Sequence, residues 1–312
     1  MQKRSLGKCG LVSEIGFGGV EIGMPYGIGV GRNTEPPAEQ TSIALLQNAL
    51  QTGINFFDTA REYGRSEALI GRAFADRRDQ IIICSKCKHL PAKLPDKALC
   101  RFVVDSCRQS LLALHTAYLD LFLLHDSAIT IQNHPAVREA LSYLKKNRLV
   151  HAVGVSTYTT AETANAIESG FYDVVQVPFN LLDQRQLPYI ELAGKRGIGV
   201  MVRSALFKGI LARKNCELHP ALEPVQTHVE ALEEWVKEPV RNLAELSVKF
   251  ILAFPSVSTV LVGIDQFTYL QQAVQMADNR YLGREIVRQL RERAYPDADF
   301  LDLRIWDKKG WL

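Results

Sequence analysis

Three side chains with complementary acid–base chemistry lie within one short stretch of the sequence. Asp58, Tyr63 and Lys86 belong to the segment GINFFDTAREYGRSEALIGRAFADRRDQIIICSK, which runs from Gly53 to Lys86. One apolar, β-prone run ends at Asp58, a second ends just before Lys86, and apolar residues at helical spacing lie between them. This pattern predicts a βαβ unit whose two parallel strands bring the acid, the phenol and the amine together at their carboxyl ends.

These residue types suit proton transfer. A free tyrosine has a pKa of about 10, which is too high for ready proton exchange at neutral pH. An ammonium group held close favours the phenolate, so Lys86 is expected to bring the pKa of Tyr63 down, while Asp58 holds Lys86 charged and in place. The stretch is therefore interpreted as a functional site rather than as part of a core.

The rest of the chain has the regularity needed to position such a site. Eight apolar, β-prone runs are each followed by a helical pattern, which is typical of an α/β protein and favours a closed (β/α)8 TIM barrel. The predicted strands span residues 15–20, 54–57, 81–85, 119–124, 150–155, 174–177, 199–202 and 259–262. Because no linker divides the chain, residues 1–312 are expected to form one domain, with an N-terminal hairpin at about 3–13 and a C-terminal tail at about 280–312.

The composition of the chain argues against a nucleic-acid-binding protein and against a membrane protein. The chain has 312 residues and a net charge of +3 without a long basic run, so binding to nucleic acid is not expected. No apolar stretch approaches the ~20 residues of a membrane span. The six cysteines form no evident disulfide framework. These features predict a soluble, cytoplasmic protein without a membrane partner.

One cysteine motif has two interpretations. Cys84 and Cys87, followed by His89, have the spacing of half a zinc or redox site. However, Lys86 lies between the two cysteines and no matching second pair follows, while strand alternation turns Cys84 towards the interior of a barrel. The sequence therefore predicts packing cysteines and no metal site.

In a barrel of parallel strands, functional residues lie at the carboxyl ends of the strands. A single polar residue at such a position usually belongs to a turn or a helix cap. Here an acid, a phenol, an amine and an imidazole accompany three successive strands, and that combination favours a site. The residues at the predicted strand ends are Gly18, Gly19, Asp58, Lys86, His125, Ser156, Thr157, Gln176, Arg203, Ser204 and Gly263.

The sequence resembles the aldo-keto reductase family over nearly all of residues 4–280. The motifs that carry the resemblance are RSLGKCGLVSEIGFGG, GINFFDTAREYGRSEALIG, LDLFLLH, VGVSTYT, VVQVPFNLLDQR and RSALFKGIL. The resemblance implies a nicotinamide cofactor, NADP(H) or NAD(H), and a catalytic tetrad of Asp58, Tyr63, Lys86 and His125. In that chemistry Tyr63 would protonate the alkoxide that hydride transfer leaves, and His125 would orient the substrate oxygen or pass the proton in the reverse direction.

The resemblance also implies contacts with the cofactor. Ser156 and Gln176 would bind the nicotinamide carboxamide, with Thr157 where the family usually has Asn. Arg203 replaces a stacking aromatic residue, and its planar guanidinium is able to stack as well. The backbone of residues 206–209 would cradle the pyrophosphate, and Lys208 or Lys214 would be either a phosphate partner or a solvated surface charge. The other expected contacts are Gly18, Gly19, Asp58, Ser204, Leu206, Gly209, Gly263, Asp265 and Gln272.

The choice between the two nucleotides stays open at the level of sequence. Many members of the family carry Lys or Arg after the last strand, where it pairs with the 2′-phosphate of NADPH. This chain has Gly263, Asp265 and Tyr269 there, and an acid near the ribose favours NAD. If Asp265 instead forms the N-cap of the following helix, that inference fails.

Three functions are weighed. The first is a reductase of small carbonyl compounds, and the second is an NAD-dependent sugar 1-dehydrogenase that forms a lactone. The third is a nucleotide-binding regulatory subunit, which predicts a damaged tetrad, whereas this tetrad is intact. The polar candidates for the substrate pocket are Asp126, Glu21 and Arg61, and the apolar ones are Met24, Tyr26, Phe179, Trp306 and Trp311. The sequence does not predict an oligomeric state.

Overall fold

A short antiparallel hairpin leads into a closed barrel of parallel strands. The computed structural model describes residues 1–28, 35–91, 94–212 and 218–312. The hairpin strands are β1 (Lys3–Ser5) and β2 (Leu11–Ser13). The barrel strands are β3 (Ile15–Gly18), β4 (Phe56–Asp58), β5 (Ile82–Lys86), β6 (Leu119–Leu124), β7 (Val150–Ser156), β8 (Val174–Pro178), β9 (Gly199–Arg203) and β10 (Thr259–Gly263), and β10 pairs with β3 to close the ring. The predicted (β/α)8 TIM barrel is confirmed.

The strands are apolar on both faces because each packs against two layers. Inside the barrel, a buried cluster joins strand side chains to Leu6 and Val12 of the hairpin, which covers the amino end of the barrel. Outside it, the helices bury a second and larger cluster. Cys84 belongs to the inner cluster and Cys87 to the outer one, so the barrel wall separates the two thiols of the cysteine motif.

Helices follow the strands in the predicted alternation. They are α1 (Val20–Gly23), α2 (Glu39–Gln51), α3 (Ser66–Ala73), α4 (Asp96–Ala113), α5 (Ile129–Gln132), α6 (Pro135–Lys146), α7 (Thr160–Glu168), α8 (Leu187–Lys195), α9 (Glu223–Ala231), α10 (Leu243–Leu252), α11 (Phe267–Met276), α12 (Arg284–Arg291) and α13 (Leu303–Lys308). One predicted boundary is wrong, because Val20 begins α1 instead of ending the first barrel strand. Gly18 is the last residue of β3 that pairs with its neighbours, and the chain leaves the sheet at Gly19.

The C-terminal tail packs against the loop that follows β9. Trp306 is fully buried, its ring meets the Phe207 ring edge-on with centroids 5.3 Å apart, and its Nε1 donates to the Phe300 carbonyl at 2.6 Å. Trp306 therefore packs onto the barrel. None of the described helices combines the length and apolar composition that a membrane span requires.

Candidate active site

Two neighbouring barrel strands end in oppositely charged side chains. Asp58 is the last residue of β4 and Lys86 is the last residue of β5. Lys86 Nζ donates to Asp58 Oδ2 at 2.6 Å and to the Thr59 carbonyl at 3.0 Å, and both charged side chains are buried. Burial lowers the pKa of Lys86, but the Asp58 carboxylate, with smaller contributions from Tyr63 and Cys84, raises it by more in total, so the net shift is upward. Lys86 is thus a fixed ammonium ion at the floor of the site.

Tyr63 lies beside this ammonium ion. The loop between β4 and α3 carries the tyrosine, and its ring centre is 4.6 Å from Lys86 Nζ. Burial raises the pKa of Tyr63 and Lys86 opposes that shift, but the net pKa lies above the ordinary value. The expectation that Lys86 brings this pKa down is therefore wrong in its net direction, because desolvation of a buried phenolate outweighs the attraction of the ammonium ion. At neutral pH, Tyr63 is a neutral phenol.

His125 follows β6 directly and faces the same phenol. Its ring meets the Tyr63 ring edge-on, with centroids 5.9 Å apart. Burial, together with the positive charge of Lys86 and the neighbouring His89 and Arg203, lowers the pKa of His125 to about 2. The imidazole is neutral across the physiological pH range, which suits a group that orients an oxygen by a hydrogen bond better than one that releases a proton.

A hydrogen-bonded chain links the acid of this group to the opposite side of the barrel. Gln176 Nε2 donates to Asp58 Oδ1 at 3.0 Å, and Ser156 Oγ donates to Gln176 Oε1 at 3.1 Å. The buried hydroxyl of Thr157, the next residue, lies 2.7 Å from the Thr163 hydroxyl. Both carboxylate oxygens of Asp58 are therefore occupied, and Asp58 is held in one orientation.

A cavity of about 550 Å³ opens at the carboxyl ends of the strands. It extends from the acid and the phenol as a groove between the loop after β9, the first turn of α10 and one face of α11. The predicted site residues that line it are Gly18, Gly19, Asp58, Tyr63, Gln176, Arg203, Ser204, Leu206, Lys208, Gly209, Gly263 and Gln272. Among the described residues that the sequence predicted for the site, Lys86, His125, Ser156, Thr157 and Asp265 do not line this cavity. Lys214 lies outside the described residues.

The loop after β9 has an unusual backbone where it borders the cavity. Ser204, Phe207, Lys208 and Gly209 all have positive φ angles, at 57°, 46°, 55° and 103° respectively. Backbone with such angles can form concavities that bind anions, although the N–H groups of Phe207 and Gly209 already donate to the carbonyls of Ser204 and Leu206. The Lys208 side chain lies over the Tyr26 ring, with Nζ 5.3 Å from the ring centre. This wall of the cavity therefore suits a phosphate-bearing ligand.

Arg203 has a fixed position at the junction of the groove and the catalytic end. Its Nη2 donates to the Thr157 carbonyl at 2.8 Å and its Nη1 to the Ser204 hydroxyl at 3.2 Å. The guanidinium group also lies over the Tyr158 ring, 4.4 Å from the ring centre. Arg304 from the tail contacts the same ring at 4.6 Å. The tail thus helps to hold the side chain that occupies the predicted stacking position.

The structure changes the interpretation of Asp265. Helix α11 begins at Phe267 and its N-cap is Gln266, so the alternative N-cap role for Asp265 is wrong. Asp265 Oδ1 is buried and makes no hydrogen bond within the described residues. Since Asp265 does not line the cavity either, the argument that it selects NAD loses its geometric basis.

Arg241 is a cavity residue that the sequence reasoning missed. It lines the cavity together with Asn242, Tyr269 and Gln272. Arg241 Nε donates to Glu245 Oε2 at 2.8 Å. The sequence does contain a sign of the helix that begins here. An Asn followed three residues later by a Glu is typical of a helix start, and Asn242 is the N-cap of α10.

Several residues predicted for the substrate pocket make other contacts. Phe179 is fully buried and packs on other aromatic rings of the outer core. Arg61 forms an ion pair with buried Glu67, and Asp126 Oδ2 accepts from the backbone N–H of Leu90 at 2.7 Å. None of these three residues lines the cavity. Glu21 and Tyr26 do line the cavity, as predicted.

Comparison with known proteins agrees with this geometry. The model of the Aldo/keto reductase family matches residues 14–293. The uncharacterized oxidoreductase YqkF of Bacillus subtilis (strain 168) is 27% identical over 318 residues, which cover 95% of this chain and 98% of that protein. L-galactose dehydrogenase of Arabidopsis thaliana is 27% identical over 289 residues, which cover 88% and 87% of the two chains.

The fold is also similar to that of a solved structure. The holo form of an aldo-keto reductase from Bacillus halodurans superposes with a TM-score of 0.78 at 25% identity, covering 96% of this chain and 99% of that one. The family match and the structural match both span most of the chain. The chain therefore belongs to the aldo-keto reductase family and is an NAD(P)-dependent oxidoreductase.

Proposed function

We propose that the protein reduces the carbonyl group of a small aldehyde, ketone or sugar, with Tyr63 as the general acid. The observation that carries this proposal is a neutral, buried phenol held between a fixed ammonium ion and a neutral imidazole beside the cavity. When bound, the reduced nicotinamide supplies a hydride to the carbonyl carbon. The chain has to supply the proton for the carbonyl oxygen and stabilise the charge that develops there.

Each member of the tetrad has a distinct role in this scheme. Tyr63 donates its proton to the substrate oxygen and becomes a phenolate. Lys86, whose Nζ is 4.6 Å from the centre of the Tyr63 ring, stabilises that phenolate, and Asp58 keeps Lys86 oriented through the 2.6 Å contact. His125, neutral at working pH, donates a hydrogen bond that orients the substrate oxygen. A phenol whose pKa is raised holds its proton until the alkoxide forms.

The cavity also has the features that a dinucleotide requires. The loop with positive φ angles offers a concave backbone for the pyrophosphate, next to Lys208. Gln176 presents an amide at the catalytic end, and Gly18, Gly19 and Gly263 keep that wall free of side chains. These residues support NADP(H) or NAD(H) as the cofactor, with the nicotinamide next to Tyr63 and the adenosine at the far end of the groove.

Arg241 supports NADP(H) as the preferred form. It lines the cavity beside the start of α10, where we place the 2′-phosphate, although Glu245 already pairs with it, whereas Asp265 does not line the cavity. A fluorescence titration with NADPH and, separately, NADH measures this preference directly through the protein's tryptophans. Tighter binding of NADPH is expected, and equal or tighter binding of NADH would overturn the assignment.

A second candidate function is the oxidation of a sugar to a lactone with an oxidised cofactor. The 27% identity to L-galactose dehydrogenase favours it. This direction uses Tyr63 as a base, and therefore needs the phenolate that burial disfavours. The raised pKa of Tyr63 is the reason for placing this candidate second.

One experiment separates the two candidates. The purified protein is assayed on a panel of aldehydes and ketones with NADPH or NADH, and on free sugars with NADP⁺ or NAD⁺. Faster turnover of the carbonyl panel at neutral pH is expected. Turnover confined to the sugars would make the sugar dehydrogenase the better assignment, and no turnover on either panel would contradict both.

The role of Tyr63 is tested by Tyr63→Phe, with Tyr172→Phe as the matched control. Removing the general acid should lower kcat by about 10²–10⁴-fold while nucleotide binding changes little. Tyr172 is also buried, but its hydroxyl donates to the Gln132 carbonyl at 2.8 Å, away from the cavity. Tyr172→Phe should therefore retain kcat. Substantial turnover by Tyr63→Phe would remove Tyr63 from the role of proton donor.

A further inference from the structure

Three potential metal ligands meet beside the catalytic histidine. Glu62 lies in the loop after β4, His89 lies in the loop after β5, and His125 directly follows β6. One donor atom from each of the three side chains lies within 4.8 Å of the other two. These residues come from three separate loops, so the spacing of histidines and cysteines along the sequence gave no sign of the group.

The two imidazole rings share one carboxylate oxygen. His125 Nδ1 lies 3.4 Å from Glu62 Oε2, and His89 Nδ1 is hydrogen-bonded to the same oxygen. The two rings are stacked, with centroids 4.6 Å apart and an interplanar angle of 27°. The backbone N–H of His89 donates to the other carboxylate oxygen, Glu62 Oε1, at 3.2 Å. The glutamate is thus held with Oε2 turned towards both rings.

One of the three candidate ligand atoms has no hydrogen-bond partner. His125 Nδ1 is buried and makes no hydrogen bond within the described part of the chain. A buried polar atom normally has a partner, and one without a partner calls for an explanation such as a bound ion. The 3.4 Å between His125 Nδ1 and Glu62 Oε2 equals the separation of about 3.3–3.5 Å between two ligands of tetrahedral zinc.

The donor set selects a class of cation. Two imidazole nitrogens and one carboxylate oxygen suit Zn²⁺ and similar divalent transition metals better than Mg²⁺ or Ca²⁺, which prefer oxygen ligands. Three protein ligands leave a fourth position for water, as in zinc sites that are open to solvent. His89 is half exposed, so its ring has room to turn from the hydrogen bond towards a metal.

We propose that Glu62, His89 and His125 bind a divalent cation of the zinc class, and that this cation inhibits the enzyme by engaging the imidazole that orients the substrate oxygen. The binding site itself is independent of the reaction catalysed. The inhibition rests on the proposed function, because it assumes that His125 contacts the substrate. The cation is thus an inhibitor at the catalytic histidine and takes no part in turnover.

Binding is tested first, without an activity assay. The full-length protein is titrated with Co²⁺ alone, whose visible absorption reports tetrahedral nitrogen and oxygen coordination, and with Zn²⁺ alone by calorimetry. One equivalent is expected to bind, and His89→Ala should weaken binding by about 10-fold or more. Glu62→Gln, which keeps the shape of the side chain, should weaken it as well.

His151→Ala is the matched control. His151 and His89 have almost equal side-chain exposure, at 50% and 49%, and each lies near a carboxylate, Asp120 in the case of His151. His151→Ala should bind the metal as the unmodified protein does. The proposal is overturned if no metal binds, or if His89→Ala and Glu62→Gln bind as tightly as His151→Ala, since the ligands would then lie elsewhere, for example among the cysteine thiols.

Inhibition is tested separately, on whichever substrate the panel identifies. Zn²⁺ should reduce turnover, a chelator should restore it, and the fraction inhibited at a given concentration should fall in His89→Ala relative to that variant's own uninhibited rate. Metal binding without any loss of turnover would overturn the inhibitory role. If no substrate is turned over, the proposed function fails, while the Co²⁺ spectrum still decides whether the metal site exists.

Discussion

Buried carboxylates are paired with lysines at both ends of the barrel, and they serve different purposes. At the amino end, Asp173 precedes β8 and accepts from Lys8 Nζ at 2.7 Å and from Lys145 Nζ at 2.6 Å. At the carboxyl end, Asp58 accepts from Lys86 Nζ at 2.6 Å. The chemical groups and the distances are nearly the same in the two networks.

The difference lies in what surrounds the charges. Asp173 joins the hairpin to α6, and it also accepts from the backbone N–H of Val153 in β7 at 3.0 Å. The network therefore holds the hairpin, α6 and β7 together. Lys86 is fully buried but faces the Tyr63 ring, next to the cavity. Since burying an ion pair costs desolvation free energy, the carboxyl-end pair is better explained by the electrostatic environment that it creates for Tyr63.

The largest effect should follow from Lys86→Met. The substitution removes the charge that stabilises the phenolate and leaves the Asp58 carboxylate buried with Gln176 as its remaining side-chain partner. We expect kcat to fall by about 10³–10⁴-fold, and the free energy of unfolding to fall by about 3–5 kcal/mol. Steady-state kinetics and urea unfolding measure the two effects. A variant that keeps kcat within about 10-fold would show that the two ion networks do not differ in purpose.

The opposite pattern is expected for Asp173→Ala. Loss of the carboxylate leaves the Val153 N–H without its side-chain acceptor and separates the hairpin from α6, so the free energy of unfolding should fall by about 2–3 kcal/mol. The kcat of the folded enzyme should stay within about 2-fold, because the residue lies at the far end of the barrel. A large loss of kcat without a loss of stability would break the comparison.

The same network has a defined pH dependence. Burial raises the pKa of Asp173, but hydrogen bonds from Lys145, Lys8 and the Val153 N–H lower it by more, so the net shift is downward. Its contribution to stability is therefore fully present above the unfolded pKa of about 3.9 and is lost as the pH falls through the lower folded value. Urea unfolding between about pH 5 and pH 2 should show a steeper loss of stability for the unmodified protein than for Asp173→Ala.

The carboxyl-end network should respond to alkaline pH, and only in one direction of the reaction. The raised pKa of Tyr63 leaves a small fraction of phenolate at neutral pH. Oxidation of the alcohol, which needs the phenolate, should therefore speed up by about 10-fold per pH unit from about pH 7 to pH 9, while carbonyl reduction stays nearly level. The two rates are followed through nicotinamide absorbance. A flat profile for oxidation would mean that another group accepts the proton.

These contrasts indicate how much of the molecule the sequence predicts. The alternation of strands and helices predicted the barrel, because strands buried on both faces are continuous apolar runs. Asp58, Lys86 and His125 were identified because each stands where such a run stops. The sign of the shift in the Tyr63 pKa was not predictable, since it depends on the balance between burial and the charge of Lys86, and burial is a property of the folded chain.

Contacts between loops that are distant in the sequence were also not predictable from the sequence. Glu62, His89 and His125 meet because three loops converge at one end of the barrel, and no pattern along the chain records that approach. Arg241 was visible as a charged residue before a helix, but its place at the cavity depends on where α10 begins relative to the groove. Sequence reasoning thus located the strand ends well and the loops that surround them poorly.

The smallest predicted effect concerns a third ion network. We expect this network both to hold helix α10 in place and to bind the cofactor. Arg241 pairs with Glu245, and Glu245 lies 3.1 Å from Nζ of buried Lys249. Arg241→Ala should leave the Lys249–Glu245 pair in place, so we expect a loss of about 1 kcal/mol or less in the free energy of unfolding.

The same substitution should affect the two nucleotides unequally. The Kd for NADPH should rise by about 10-fold, because the cation that we assign to the 2′-phosphate is gone, while the Kd for NADH should change by less than about 2-fold. Fluorescence titrations with both nucleotides at low and high salt measure this, and the effect on NADPH should shrink as salt screens the phosphate. Equal weakening of both nucleotides would mean that Arg241 acts only through Glu245 and the packing of α10, as Asp173 acts at the other end of the barrel.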